Sequence, residues 1–125
     1  MFKGYSCSEL YDDLVDQIEE WDSDRRSPAG GEYDIKEKSK SDKYIWSTRL
    51  SRNKRDSDDI LIELTSTSKG CTASGHSRSQ EAYFVDYTVN FCNIWNIYYG
   101  TSDEFTYSVR DCDSPAQDPV YNCIR

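Results

Sequence analysis

The chain has one histidine in 125 residues. A single imidazole cannot complete a zinc site with the cysteines at recognised spacings, and no two cysteines form a Cys-x-x-Cys pair. Catalysis that moves protons between two histidines is excluded outright. No apolar run approaches the length of a membrane span. No Gly-rich phosphate loop occurs, because Gly30-Gly31 precedes a strand pattern and reads as a turn. No serine sits in a G-x-S-x-G context, although a triad assembled from distant residues stays open. Calcium loops are missing too, even if Asp22-Ser23-Asp24 begins like one. There is no N-glycosylation sequon. Met1-Phe2-Lys3-Gly4 leads directly into polar sequence, so the expectation is a mature domain carrying a supplied start methionine.

What is present points to a folded module. A chain of 125 residues is long enough for one core, so residues 1–125 are expected to form a single domain. Aromatic residues make up 14%, with 10 Tyr and 3 Trp, and such rings need packing partners. The net charge of −8 repels nucleic acid and anionic membrane as a whole. The charge is unevenly spread. Glu9 to Asp24 holds eight acids and no base, whereas Lys36 to Arg55 holds eight bases against Glu37 and Asp42, a local balance of 8 − 2 = +6. Such runs are commonly solvated faces; the second is also a candidate polyanion surface. The cysteines Cys7, Cys71, Cys92, Cys112 and Cys123 are many for this length. Disulfides formed in an oxidising, secretory compartment account for them, with one thiol left over.

The pattern predicts a helix from Ser8 to Trp21, capped by Ser8, with Leu10, Leu14, Val15, Ile18 and Trp21 on one stripe. Strands follow. Glu32 to Lys38 turns Tyr33 and Ile35 inward. In the next strand Tyr44, Trp46, Thr48 and Leu50 share one face, and Ile45, Ser47 and Arg49 the other. Ser51 to Asp59 reads as a charged connection, and Ile60, Ile62 and Leu64 as a third alternating set. Thr65 to Gln80, rich in Ser, Thr and Gly, reads as a long loop. Tyr83 to Phe91 alternates strictly, a strand with Ile94, Trp95 and Ile97 follows after a bend near Asn90–Asn93, Phe105 to Val109 closes the set, and Asp111 to Arg125 is an extended tail. One N-terminal helix on a curved antiparallel sheet, stapled by disulfides, is an α+β architecture.

Tyr5-Ser6-Cys7 stands just ahead of the helix, with Tyr5 and Cys7 on one face of an extended segment. By position Cys123 is the natural partner of Cys7. That bridge would close roughly 115 residues and stabilise by about 4–5 kcal/mol, less if strained. Sequence alone does not fix the pairing. A Tyr-x-Cys, a helix immediately after it, a run of strands and a cysteine near the C-terminus together resemble the RNase-like secreted effectors of powdery mildew fungi. The likeness covers the whole chain in layout, but only Tyr5, Cys7 and Cys123 carry it as motif, and the three further cysteines depart from the simplest pattern. The resemblance implies a ribonuclease T1-like fold. It also implies a secreted, monomeric protein that acts inside host plant cells by binding host proteins, and that nucleotide-binding leucine-rich-repeat receptors can detect.

Ribonuclease chemistry takes a proton off a ribose hydroxyl and puts one on the leaving oxygen, which needs a base, an acid and a phosphate clamp. Glu63 as base with His76 and Arg78 as acid and clamp could make a weakly active secreted ribonuclease, the alternative among enzymes; a Ser/Gly loop seldom supplies the rigid positioning required. The expectation is therefore no catalytic residue, no metal and no cofactor. The candidate partner surfaces are the basic hairpin with Lys43, Arg49, Arg52, Lys54 and Arg55, the Thr65–Gln80 loop with His76 and Arg78, and the tail from Asp111 to Asp118. RNA is a second candidate partner, although Tyr44 and Trp46 share a face with Leu50 and read as core rather than as a stacking platform. A rival from another class is an arthropod salivary ligand-binding protein, a closed barrel with Trp46, Tyr83, Tyr87 and Trp95 lining its cavity.

Overall fold

Ser6 opens the first helix, accepting a hydrogen bond from the Glu9 amide at 3.1 Å. A computed structural model describes residues 1–22, 31–51, 57–79, 89–102, 105–108 and 123 of the chain. Its elements are Phe2–Lys3 (β1), Cys7–Glu20 (α1), Glu32–Ser39 (β2), Tyr44–Leu50 (β3), Ser57–Thr67 (β4), Gly70–Ser79 (β5) and Val89–Thr101 (α2). The five strands form one antiparallel sheet in the order β1-β5-β4-β3-β2. The α+β class holds. The sheet is open, running from β1 to β2, so the closed-barrel expectation fails among the described residues.

The core lies between α1 and one face of the sheet. Leu10, Leu14 and Ile18 of α1 meet Tyr33, Ile45, Ile60 and Ile62, all fully buried. Each such side chain contributes about 1.5–3 kcal/mol by leaving water. The helix stripe, Tyr33 and the set Ile60, Ile62, Leu64 stand inward as expected, and Ile35 packs half-buried against them. The helix begins one residue earlier than its pattern predicts, with Ser6 rather than Ser8 as cap, because the Ser6 hydroxyl accepts from the Glu9 amide and donates to the Glu9 carboxylate.

Several expectations are overturned. The stretch from Thr65 is not a loop: β4 runs to Thr67 and β5 starts at Gly70, with the Thr67 hydroxyl accepting from the Lys69 and Gly70 amides in the turn. Gly70 is required there, since a Cβ would strike the Phe2 carbonyl of β1. Ile94, Trp95 and Ile97 belong to helix α2, not to a strand, and Asn90–Asn93 is helical rather than bent. The bulge lies instead in β2, where the register shifts between Ile35 and Glu37. Residues 105–107 show no strand, although Met1 and Thr106 exchange two hydrogen bonds. Asp58 is part of β4 rather than of a connection. Tyr83 and Tyr87 lie outside the described residues, as does the tail apart from Cys123.

The end-to-end bridge is also corrected. Cys7 pairs with Cys71 and Cys92 with Cys123, with Cα atoms 5.1 Å apart in each. The reason is the short strand β1: Phe2 lies opposite Cys71, so the start of α1 arrives beside β5. Tyr5, between them, packs half-buried against the core with its ring edge-on to Phe2. Burial, and then the Asp13 carboxylate, raise its pKa.

Candidate functional site

Alternation places two sets of β3 side chains on opposite faces, and the tertiary structure buries the less apolar set. Ile45, Ser47 and Arg49 face the helices. Ser47 is inside because its hydroxyl donates to the Asp34 carbonyl at 2.8 Å. Arg49 is inside because its guanidinium lies 5.9 Å over the Tyr33 ring, in space that only the bare Gly31 leaves open. Arg49 is thus no part of an outer basic surface, and Tyr44 and Trp46 are not core. Trp46 is 39% exposed, on the sheet face opposite α1.

That outer face gathers most of the remaining candidates. Strand register puts Glu37, Trp46, Leu61 and His76 in one row across β2 to β5. Ser39, Tyr44, Glu63 and Ser74 form the row on one side, and Asp34, Thr48, Asp59 and Arg78 the row on the other. His76 and Glu63 are diagonal neighbours, with Nε2 and Oε1 3.9 Å apart. Their side chains are 68% and 58% exposed. The aromatic rings are held by acids: Tyr44 donates to Glu37 at 2.7 Å, and the Trp46 indole donates to Asp59 at 3.4 Å. The bond to Glu37 is the main reason the Tyr44 hydroxyl resists ionisation.

Among the described residues, the basic hairpin does not form one surface. Lys36, Lys38 and Lys40 pair with Asp34, Glu19 and Asp12 at 2.8, 3.3 and 3.0 Å. Lys38 and Lys40 thereby lean toward the acidic face of α1 and pair with two of its acids. Lys43 stands at the β2–β3 turn with a φ of 59° and its ammonium 3.5 Å from the Ser66 hydroxyl. Arg52, Lys54 and Arg55 lie outside the described residues. Cys7 and Cys123 are disulfide partners of other cysteines, not of each other.

Sequence reading named Glu63, His76 and Arg78 together but took two of them for loop residues. It missed Glu37, Asp59 and Leu61 as their neighbours, since only register across four strands brings them together. Among the described residues no group of three or more His, Cys, Asp or Glu is placed to hold a metal ion. No helix among them is long and apolar enough to cross a membrane.

No family model, no curated protein and no solved structure matches this chain.

Proposed function

We propose that this domain is an RNase-like secreted effector of the powdery mildew type that binds host plant proteins and performs no catalysis. The T1-like reading is supported by element layout, a helix that starts at Cys7 of Tyr5-Ser6-Cys7 and packs on an antiparallel sheet. The likeness has lost one support, because the first and last cysteines are not bonded to each other.

The observation that carries the binding reading is the Glu63–His76 pair. A general base works when desolvation and fixed contacts set its pKa and hold it within about 3 Å of the proton it takes. Here the sole imidazole and the carboxylate are more than half exposed and separated by 3.9 Å, so water screens both. No second imidazole exists to return the proton. A half-exposed Trp held between Glu37, Asp59 and Leu61 is, by contrast, well suited as an anchor at the centre of a protein contact. In this reading host recognition, including detection by a leucine-rich-repeat receptor, is made by the outer sheet face.

The test has two arms. RNA is incubated with the wild-type domain and with His76→Ala; no cleavage above background is expected in either, and cleavage abolished by His76→Ala would overturn the binding-only reading. A host protein captured from plant extract is then made recombinantly and titrated. Trp46→Ala should weaken its binding at least tenfold, and an unchanged affinity would remove the outer face from recognition.

A further inference from the structure

Strand β3 turns Tyr44 and Trp46 to the same outer face, about 7 Å apart along an extended chain. Trp46 is 39% exposed and Tyr44 is half-buried. Among the described residues no Phe, Tyr or Trp ring and no Lys or Arg lies against either, whereas Tyr33 on the inner face is covered by Arg49. The polar atoms of both rings are already engaged, the indole N–H by Asp59 and the Tyr44 hydroxyl by Glu37. What a partner meets is the ring faces.

Carboxylates frame these rings. Glu37 lies directly opposite Trp46 on β2, and Glu63 directly opposite Tyr44 on β4. Both are exposed, and among the described residues neither pairs with a Lys or Arg. Glu37 accepts from the Tyr44 hydroxyl, and Glu63 stands 3.9 Å from the His76 imidazole. The nearby lysines are turned elsewhere. Lys36 pairs with Asp34, Lys38 with Glu19 and Lys40 with Asp12. Lys43 reaches the hydroxyl of Ser66, which alternation places on the side of Leu64, away from the rings. Arg78 faces Asp59 in the next row. The two turns that bound this end of the sheet, residues 40–43 and 68–69, are both described.

Rings bordered by acids select for positive charge. A cation over a ring is drawn to its negative face, and each flanking carboxylate adds to the attraction. A neutral partner would bury Glu37 and Glu63 without a counter-charge, and a phosphate-bearing one would be repelled by them. A second copy of the chain, at a net charge of −8, is repelled as well. Arginine suits the surface better than lysine, because a planar guanidinium lies flat on an indole while its N–H fork reaches a carboxylate.

We infer that Tyr44 and Trp46, framed by Glu37 and Glu63, dock an arginine-bearing segment of the partner protein with its guanidinium groups stacked on the rings. This rests on the reading of the outer face as the host-contact surface and names the chemistry that face selects.

The test titrates the full chain at low salt with short acetylated and amidated peptides, followed by NMR. A peptide with two arginines separated by one glycine should saturate and shift the Trp46 indole N–H resonance. Its citrulline counterpart, equally planar but uncharged, should bind about fivefold more weakly through loss of the cation over the ring. The double variant Glu37→Gln/Glu63→Gln should weaken the arginine peptide about tenfold, roughly threefold for each exposed ion pair, and leave the citrulline peptide unchanged. Asp16→Asn, at an exposed acid of α1, should alter neither. Absence of saturable binding, equal affinity for the arginine and citrulline peptides, or an equal loss on Asp16→Asn would each overturn the inference. An unchanged affinity of the captured host protein for Trp46→Ala is a different failure: it would remove host recognition from this face and leave the arginine site standing.

Discussion

Ser6 shows how much one hydroxyl does at a helix start. It accepts from the Glu9 amide at 3.1 Å and donates to the Glu9 carboxylate at 3.0 Å. Ser6→Ala removes both contacts, and urea denaturation should show a loss of about 1 kcal/mol. Tyr33 makes a larger demand. It is fully buried beneath Arg49, and burial, only partly offset by the guanidinium, pushes its hydroxyl up to about 12. In the unfolded chain the same group titrates near 10. Between those values the native state holds a proton that the unfolded state has released, so stability falls as pH rises. Its contribution is fully present below pH 10 and is lost as the pH climbs to about 12. The slope is about 1.4 kcal/mol per pH unit in that window. Denaturant melts at pH 8, 10 and 11 should show that slope, and Tyr33→Phe should flatten it. Tyr98 acts in the same direction at still higher pH. Asn93, 1% exposed, donates to Asp58 at 2.8 Å and to Ser77 at 3.2 Å, which lets a carboxylate sit inside the fold.

At the scale of elements, the Cys7–Cys71 bridge fastens the start of α1 to β5 across a sequence separation of 64. On the chain-entropy model a loop of that size is worth about 4 kcal/mol. The double variant Cys7→Ser/Cys71→Ser should lose about that much in guanidinium denaturation. Peptide mapping without reductant should recover the Cys7 peptide joined to the Cys71 peptide. Elements also explain where the sequence misled. β5 reads as a loop because neither of its faces is apolar. Its outer side carries Thr72, Ser74, His76 and Arg78, and its inner side Cys71, Ala73, Gly75 and Ser77. Small inner residues are needed because the Tyr98 hydroxyl and the Ile94 side chain come up against Gly75. α2 reads as a strand for the opposite reason. It is covered on two sides, by the main core at Ile97 and Tyr98 and by a second cluster at Phe91, Trp95 and Cys123. A helix wrapped that way shows no single apolar stripe.

For the molecule as a whole, charge decides between partners. The net charge is −8, and Lys36, Lys38 and Lys40 are neutralised by neighbouring acids. Non-specific binding to nucleic acid is commonly in the range of about 1–100 μM at physiological salt, and it rests on released counterions. This chain should fall beyond the weak end of that range. Fluorescence anisotropy with a single-stranded RNA 20-mer in 150 mM salt should show no saturation up to ~100 μM protein. Tight, salt-sensitive binding would return RNA to the list of partners.

Local pattern was enough for the α+β class, for α1 and for the inward sets Tyr33–Ile35 and Ile60–Ile62–Leu64. Those follow from periodicity, which each segment carries within itself. Which face of β3 is buried, which cysteines meet, and whether residues 65–79 and 89–101 are loop, strand or helix were decided only by the tertiary structure. Each depends on what another segment brings: Gly31 making room for Arg49, β1 delivering Cys7 to Cys71, and α2 supplying the apolar surface that β5 itself lacks. Contacts between distant segments leave no period in the chain, and that is the physical reason they could not be read from it.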